Sequence, residues 1–207
     1  SSYQVLDSVK NINNNAFRDT INLTSISLPT NLETIGTYAF ADGGLTSVVI
    51  PNKVKKLAGT FYECLFLKTI TIGSLVENID VEAFYACTDL MEFIVNNDNM
   101  HFKSIDGNLY NKEGDTIIKY AIGKEDKEFI VSTSIIKIMA FAFVGNLTIE
   151  SFYFLDTNNW YISASSDLSS PKKVLSSSLD SSNKVTLANN MCDVDNYGDY
   201  YWFKKVI

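Results

Sequence analysis

A column of phenylalanines recurs along most of the chain and constrains its fold more than any other feature. Successive members lie 23, 21, 23 and 59 residues apart, and four of the five follow an alanine. The members are Phe17, Phe40, Phe61, Phe84 and Phe143. A unit of this size is too small to close its own hydrophobic core, so it buries its apolar columns against the next unit. The spacing therefore predicts a solenoid of stacked coils.

Further apolar positions keep step with the phenylalanines. One column lies about five residues upstream: Ile12, Ile35, Leu57, Ile79 and Ile138. Another lies three residues earlier: Val9, Leu32, Val54, Val76 and Ile135. Alternating pairs complete each coil: Tyr3/Val5, Ile26/Leu28, Val48/Ile50, Ile70/Ile72, Phe93/Val95, Phe129/Val131 and Phe152/Phe154. The pairs predict short strands with one buried face, and stretches such as "TYAF" favour one helical turn per coil.

Two segments break this rhythm. In the region of residues 100–128, "NLY" and "TIIKY" flank the turn-rich "NKEGD", which predicts an inserted β-hairpin. From residue 156 onward the columns stop, so we predict a solenoid over 1–155 and a capping segment or small appended region over 156–207. The rings available to cover the last coil are Trp160, Tyr161, Tyr200, Tyr201 and Trp202. A carbohydrate-stacking platform is the alternative use of the same rings.

The stretches "LTSVVIPNKVKKLAGTFYECLFLKTITI" and "SIDGNLYNKEGDTIIKYA" carry a family resemblance. They resemble the BspA-like, Treponema pallidum-type leucine-rich repeats over roughly residues 3–155. Departures from the repeat are Thr60 in place of Ala, and Gly73, Ala121 and Ser132 in place of Pro. The resemblance implies a right-handed parallel solenoid of about seven short strands. It also implies an extracellular or cell-surface protein that adheres to host proteins and has no enzymatic activity.

The charge balance disfavours several classes of partner. Twenty-four acidic residues against seventeen basic ones leave a net charge of -7, and the basic residues form no stripe. Nucleic acids and anionic membranes select the opposite pattern, so neither is an expected partner. No apolar run approaches the ~18–20 residues that span a bilayer, so membrane insertion is not expected. We expect the isolated chain to be monomeric.

The motifs predict no catalytic site, metal site or cofactor. His101 is the only histidine and has no Cys, Asp or Glu at metal-ligand spacing. The stretch "DVDNYGDYYWFK" has the acids of a calcium loop, but Tyr197 and Lys204 replace two of its ligands. A weak surface calcium site remains the alternative for Asp193, Asp195 and Asp199.

Cys64 and Cys87 occupy the same position in neighbouring repeats. Stacked coils would place them about 5 Å apart, which permits a disulfide. Side chains that point the same way suit the ~90° dihedral angle of a disulfide poorly. Two free, buried thiols are therefore the favoured prediction.

The outward-facing strand residues form the candidate binding surface. The candidate ligand-binding residues are Val49, Thr71, Ile94, Ile130 and Tyr153. Either they contact a partner, or the hairpin or the C-terminal segment covers them. We favour covering, because an exposed apolar row on parallel strands invites association.

Three functions stay open at the level of sequence. The first is non-catalytic recognition of an extracellular or host protein at the cell surface, the second is a spacer without a ligand, and the third is carbohydrate binding through the C-terminal aromatics. The strand face projects roughly 300 Å² for strands ~4.8 Å apart. A stable protein interface uses about 800 Å² per partner, so this face alone should bind weakly.

Overall fold

The chain folds as a mainly β solenoid, which the computed structural model describes over residues 1–193, 195 and 198–205, without the side chain of residue 181. The strands are numbered in chain order: β1 (Ser2–Gln4), β2 (Asn11–Ile12), β3 (Ser25–Ser27), β4 (Thr34–Ile35), β5 (Ser47–Val49), β6 (Lys56–Leu57), β7 (Thr69–Ile72), β8 (Asn78–Ile79), β9 (Glu92–Val95), β10 (Phe102–Ile105), β11 (Asn108–Asn111), β12 (Thr116–Lys119), β13 (Glu128–Val131), β14 (Lys137–Ile138), β15 (Ser151–Phe154), β16 (Trp160–Ser163), β17 (Lys172–Lys173) and β18 (Tyr201–Lys204). Two 3-10 turns, Ser176–Leu179 and Ser181–Asn183, lead into the helix α1 (Lys184–Cys192).

The alternating pairs form parallel strands, as the sequence predicts. Five of these strands make one sheet in the order β1-β3-β5-β7-β9, so consecutive coils are neighbours. The inward residues are buried, with Val48 3%, Ile70 0% and Phe93 0% exposed. The predicted solenoid is confirmed, and its core runs along the stack of coils.

The upstream isoleucine column forms a second, narrower set of parallel strands. β2 pairs with β4, matching Ile12 with Ile35, and β6 pairs with β8, matching Leu57 with Ile79. The apolar columns predict these residues in the core but do not indicate strands there. A two-residue strand is too short to show alternation, so this side of each coil carries no periodic signal.

The phenylalanine column is a stack of parallel rings. Phe17, Phe40, Phe61 and Phe84 follow one another with centroid distances of 5.2, 5.5 and 5.8 Å and interplanar angles of 10°, 6° and 3°. The last three rings are at most 2% exposed, whereas Phe17 at the end of the stack is half-buried. The stack ends at Phe84, which meets Phe93 edge-on at 5.0 Å.

The prediction of a helical turn beside each phenylalanine is wrong. These stretches are tight turns in which residues such as Tyr38 (φ 55°), Ala86 (φ 54°) and Phe141 (φ 60°) adopt left-handed backbone angles. A left-handed residue interrupts a right-handed helix, and it lets the chain reverse within a few residues. The coil needs this sharp corner because the next strand begins shortly after it.

The insertion is larger than the predicted hairpin. β11 and β12 form that hairpin, with an irregularity between Leu109 and Tyr110, and β10 adds a third antiparallel strand. β12 then pairs in parallel with β14, and the ring of Tyr120 stacks on Phe143 at 5.2 Å. The end of the insertion therefore takes the place of a coil, with Tyr120 in the phenylalanine column.

The C-terminal segment closes the far end of the solenoid. β14, β18, β16 and β17 continue the sheet that begins with the insertion, while β13 and β15 form a separate parallel pair. Trp160 and Trp202 are 0% and 3% exposed, and α1 buries Leu187 and Met191 in the same core. These contacts support the predicted cap. The boundary at residue 155 remains a prediction.

Candidate protein-binding surface

Three of the five candidate residues lie side by side on the five-stranded sheet. Val49 is registered with Thr71, and Thr71 with Ile94, so their side chains follow one another across neighbouring strands spaced about 4.8 Å apart. Val49 is 63% and Ile94 44% exposed, and Thr71 between them is half-buried. The strands position this row because their inward neighbours are locked in the core.

The other two candidate residues lie on the separate pair β13–β15. Ile130 is registered with Tyr153 and is 56% exposed. Lys184 at the start of α1 donates to the Tyr153 hydroxyl at 2.6 Å and lies 5.0 Å from the centre of its ring. This hydrogen bond raises the pKa of Lys184. Lys184 was not predictable as part of this site, because nothing in the repeat pattern indicates where the tail returns.

The favoured prediction that the apolar row is covered is wrong for Ile94 and Ile130, and it holds in part for Tyr153. The insertion packs against the edge of β9 rather than over its face. Its turn reaches that strand through Gly107, whose carbonyl accepts from the Phe93 N–H at 2.8 Å. A contact at the strand edge leaves the outward side chains free.

A cleft opens in the strand face between β3 and β5, and sequence analysis missed it. Here the ladder has a single registered pair, Ser25 with Ser47, where β1–β3 and β5–β7 have three each. The cleft has a volume of about 490 Å³ and is lined by residues 25–28, 30 and 47–53. Val49 stands at its rim, so the cleft belongs to the candidate surface.

The repeat pattern over residues 1–114 matches six copies of the family described as "BspA type Leucine rich repeat region". This match covers more than half of the chain. The chain belongs to the BspA-type leucine-rich repeat family. The resemblance drawn from the sequence is thereby confirmed. No curated protein matches the chain closely enough to count as a relative.

Two solved structures show the same fold as this BspA-type chain. A leucine-rich repeat protein from Eubacterium ventriosum is 19% identical with a TM-score of 0.64, and the match covers 76% of this chain and 48% of that one. The pneumococcal vaccine antigen PcpA is 20% identical with a TM-score of 0.60, and the match covers 74% and 45%. The BspA-type chain thus matches about half the length of each structure, and at these identities the likeness concerns the fold alone.

The C-terminal aromatics of the BspA-type chain do not form a sugar-stacking platform. Such a platform needs exposed ring faces, but Trp160 and Trp202 are buried. Trp160 donates its indole N–H to the Asp156 carbonyl at 2.8 Å, and it packs edge-on against Phe154 at 5.2 Å. The carbohydrate hypothesis therefore loses the residues on which it rested.

The described part of the BspA-type chain shows no group of three or more His, Cys, Asp and Glu side chains that could hold a metal ion. Tyr197, which the weak calcium pattern includes, lies outside the described residues. His101 is exposed and lies in the loop before β10, as predicted. Of the helices that the structure describes, none is long and apolar enough to cross a membrane.

Cys64 and Cys87 of the BspA-type chain are free and fully buried, as favoured by the sequence. Each thiol donates to a carbonyl one coil back, Cys64 to Phe40 at 3.0 Å and Cys87 to Phe61 at 3.1 Å. Burial raises the pKa of Cys64 to about 12 and raises the pKa of Cys87 as well. Because the thiolate is the reactive species, neither thiol should react while the chain is folded.

We expect a Cys192→Ser variant to show no thiol that reacts rapidly with an aromatic disulfide reagent near neutral pH, and both remaining thiols to react once urea unfolds it. The half-buried Cys192 is replaced so that only the two ladder positions are measured. Absorbance of the released thiolate follows the reaction. Rapid labelling of Cys64 or Cys87 in the folded variant would contradict the buried arrangement.

Proposed function

We propose that this BspA-type chain is a non-catalytic recognition domain at the cell surface that binds a host or neighbouring-cell protein through its strand face. The observation that carries the proposal is the exposure of three apolar strand residues: Val49 and Ile94 on the five-stranded sheet, and Ile130 on the separate pair β13–β15. Large apolar side chains that remain exposed on a regular surface are typical of protein contacts. The BspA-like resemblance supports the cell-surface location.

The strand face is also rigid, which favours recognition. The inward neighbours of the exposed row, Val48, Ile70 and Phe93, are at most 3% exposed and belong to one core cluster. A surface held this way loses little conformational entropy when a partner binds. Apolar side chains on such a scaffold can therefore contribute to affinity without a folding step.

The size of the face sets the expected strength of binding. A projected area of roughly 300 Å² is well below the about 800 Å² per partner of a stable interface. Single contacts should be weak, and many copies on one cell would bind through avidity. Any assay should therefore present the domain at high density.

The proposal predicts that Ile130→Asp and Ile94→Asp each weaken binding at least tenfold, because a carboxylate buried by the partner replaces an apolar contact. The assay captures the biotinylated domain on multivalent streptavidin and measures its binding to immobilised extracellular-matrix proteins. Phe66→Asp is the matched control, since Phe66 is 53% exposed but lies outside the strands of the face. It should bind as the unchanged chain does.

Two outcomes would favour the spacer instead. One is the absence of any binding protein among the matrix proteins. The other is binding that Ile94→Asp and Ile130→Asp leave unchanged. Circular dichroism of each variant confirms that the coils remain folded.

A further inference from the structure

We infer that the cleft between β3 and β5 binds an extended acidic peptide segment, which inserts a branched aliphatic side chain between the two strands. The inference rests on the proposed function and names the part of the strand face that confers specificity. The cleft differs from every other position on this face in having an opened ladder, an accessible apolar floor and a cationic lip. Each of these features selects one part of the ligand.

The opened ladder leaves a backbone donor free for a ligand. In the neighbouring ladders, the Val5 N–H donates to the Ser27 carbonyl at 3.0 Å, and the Ile50 N–H donates to the Thr71 carbonyl at 2.8 Å. Leu28 holds the same place in the coil between them, and in the described part of the chain its N–H has no backbone acceptor. The missing acceptor is the Val49 carbonyl. An extended peptide supplies both a carbonyl for the donor and an N–H for the acceptor.

The ladder is open where a proline in one coil faces a proline in the next. Pro51 lies 22 residues after Pro29, at the same position in the next coil. The corresponding residues of the coils on either side, Leu6 and Gly73, are not proline. One coil further on the position is Gly73, where an added Cβ would stand 2.6 Å from the Pro51 carbonyl oxygen. At this point β5 and β7 approach each other too closely for a side chain on Gly73. The ladder is open only between the two coils in which proline faces proline, so we assign the opening to this pair.

The floor of the cleft selects an aliphatic side chain. Ile26 in β3 and Leu28 directly after β3 both face inward, yet both are only half-buried. The equivalent Ile70 and Ile72 are 0% exposed. On the β3 side the cleft thus reaches inward-facing side chains, whereas Val48 and Ile50 on the β5 side stay buried. Its lining contains no aromatic ring, so it offers no surface on which a sugar would stack.

The lip of the cleft selects an acidic ligand. Lys53 is the one charged side chain in the lining, and Lys55 and Lys56 follow it as exposed residues. Lys55 leads into β6 and Lys56 begins it, on the second set of strands, so Lys53 alone supplies the positive charge at the lip. In a chain whose net charge is -7, this exposed lysine favours an acidic segment.

A titration with blocked dipeptides tests the inference without a natural partner. The probe is N-acetyl-leucyl-aspartate amide, followed by two-dimensional ¹H–¹⁵N spectra of the labelled chain. We expect shifts at the amides of Leu28 and Val49. Replacing leucine with glycine in the probe should weaken binding at least tenfold, because one aliphatic side chain leaves the apolar floor. Replacing aspartate with asparagine should weaken it about fivefold, as should Lys53→Gln in the protein.

A Pro51→Gly variant tests the opened ladder itself. Closure of β3 on β5 should slow hydrogen exchange of the Leu28 amide at least tenfold and abolish the dipeptide shifts. Hydrogen exchange at Ile50 is the internal control, because its N–H is already bonded to the Thr71 carbonyl. If Pro51→Gly unfolds the chain, Ser27→Trp provides a second variant that fills the cleft from its outer face.

Each outcome separates this inference from the proposed function. Absence of shifts at Leu28 and Val49, or shifts that Pro51→Gly leaves intact, overturns the cleft as a peptide site. Equal binding of the aspartate and asparagine probes overturns the charge selection. The proposed function stands or falls separately, on the response of matrix-protein binding to Ile94→Asp and Ile130→Asp. If Ile94→Asp and Ile130→Asp abolish matrix-protein binding while the cleft binds no dipeptide, the recognition surface lies elsewhere on the face.

Discussion

Phe61→Ala should lower the free energy of unfolding by about 3–5 kcal/mol, the range found when a fully buried aromatic is truncated. Phe61 is 0% exposed, and its ring lies between Phe40 at 5.5 Å and Phe84 at 5.8 Å. Truncation leaves a cavity that neither neighbour can fill, because each is fixed in its own coil. Equilibrium unfolding in urea, followed by circular dichroism, measures the change.

The position of the residue in the stack provides the controls. Phe17→Ala should have a smaller effect, since Phe17 is half-buried and has a stacked ring on one side only. Phe66→Ala, at a side chain that is 53% exposed, should change stability by no more than about 0.5 kcal/mol. A loss below about 1 kcal/mol for Phe61→Ala would show that the coils do not share one core.

The shared core was predictable from sequence for a physical reason. Stacked coils place equivalent residues in contact, so a buried column must repeat the same residue type at the same spacing along the sequence. Phe40, Phe61 and Phe84 satisfy this requirement and lie in one stack. The row of Val49, Thr71 and Ile94 follows from the same register, which is why its adjacency was also predictable.

Features that do not recur at the repeat spacing were not predictable from the sequence. Tyr120 takes a place in the phenylalanine column, but the insertion changes both its spacing and its identity. The left-handed residue Tyr38 has a sequence environment that favours a helix, and closure of the coil overrides that local preference. The cleft depends on one proline facing another across two coils, a signal that appears only after the register is known.

Lys119→Met should stabilise the chain by about 1–3 kcal/mol near neutral pH, because a buried charge without a counter-charge gives way to an apolar side chain of similar length. Lys119 is 3% exposed, and no ion pair among the described residues includes it. Its ammonium donates to the Phe141 carbonyl at 2.7 Å. Loss of that hydrogen bond offsets about 1 kcal/mol of the gain.

The stability difference between Lys119→Met and the unchanged chain should itself depend on pH. Burial lowers the pKa of Lys119 to about 8 from 10.5. Below about pH 8, Lys119 is protonated in both the folded and the unfolded chain. The unchanged chain then bears the full free-energy cost of burying the charge, about 3 kcal/mol by this shift. Between the two values the unfolded chain binds more protons, and the stability of the unchanged chain therefore rises with pH relative to the variant. The advantage of Lys119→Met should shrink over this range.

Measuring the difference, rather than either stability alone, isolates Lys119 from other titrating groups. Burial raises the pKa of Cys64 and of Tyr110 to about 12, so the unfolded chain loses these protons first and both proteins lose stability at high pH. That loss is common to the two proteins and cancels. Lys127→Met, at an exposed side chain paired with Glu150, is the control and should give a small difference that does not vary with pH. Urea unfolding from neutral to alkaline pH measures all three proteins. A difference between Lys119→Met and the unchanged chain that does not vary with pH would mean that Lys119 has the same pKa in the folded and the unfolded chain.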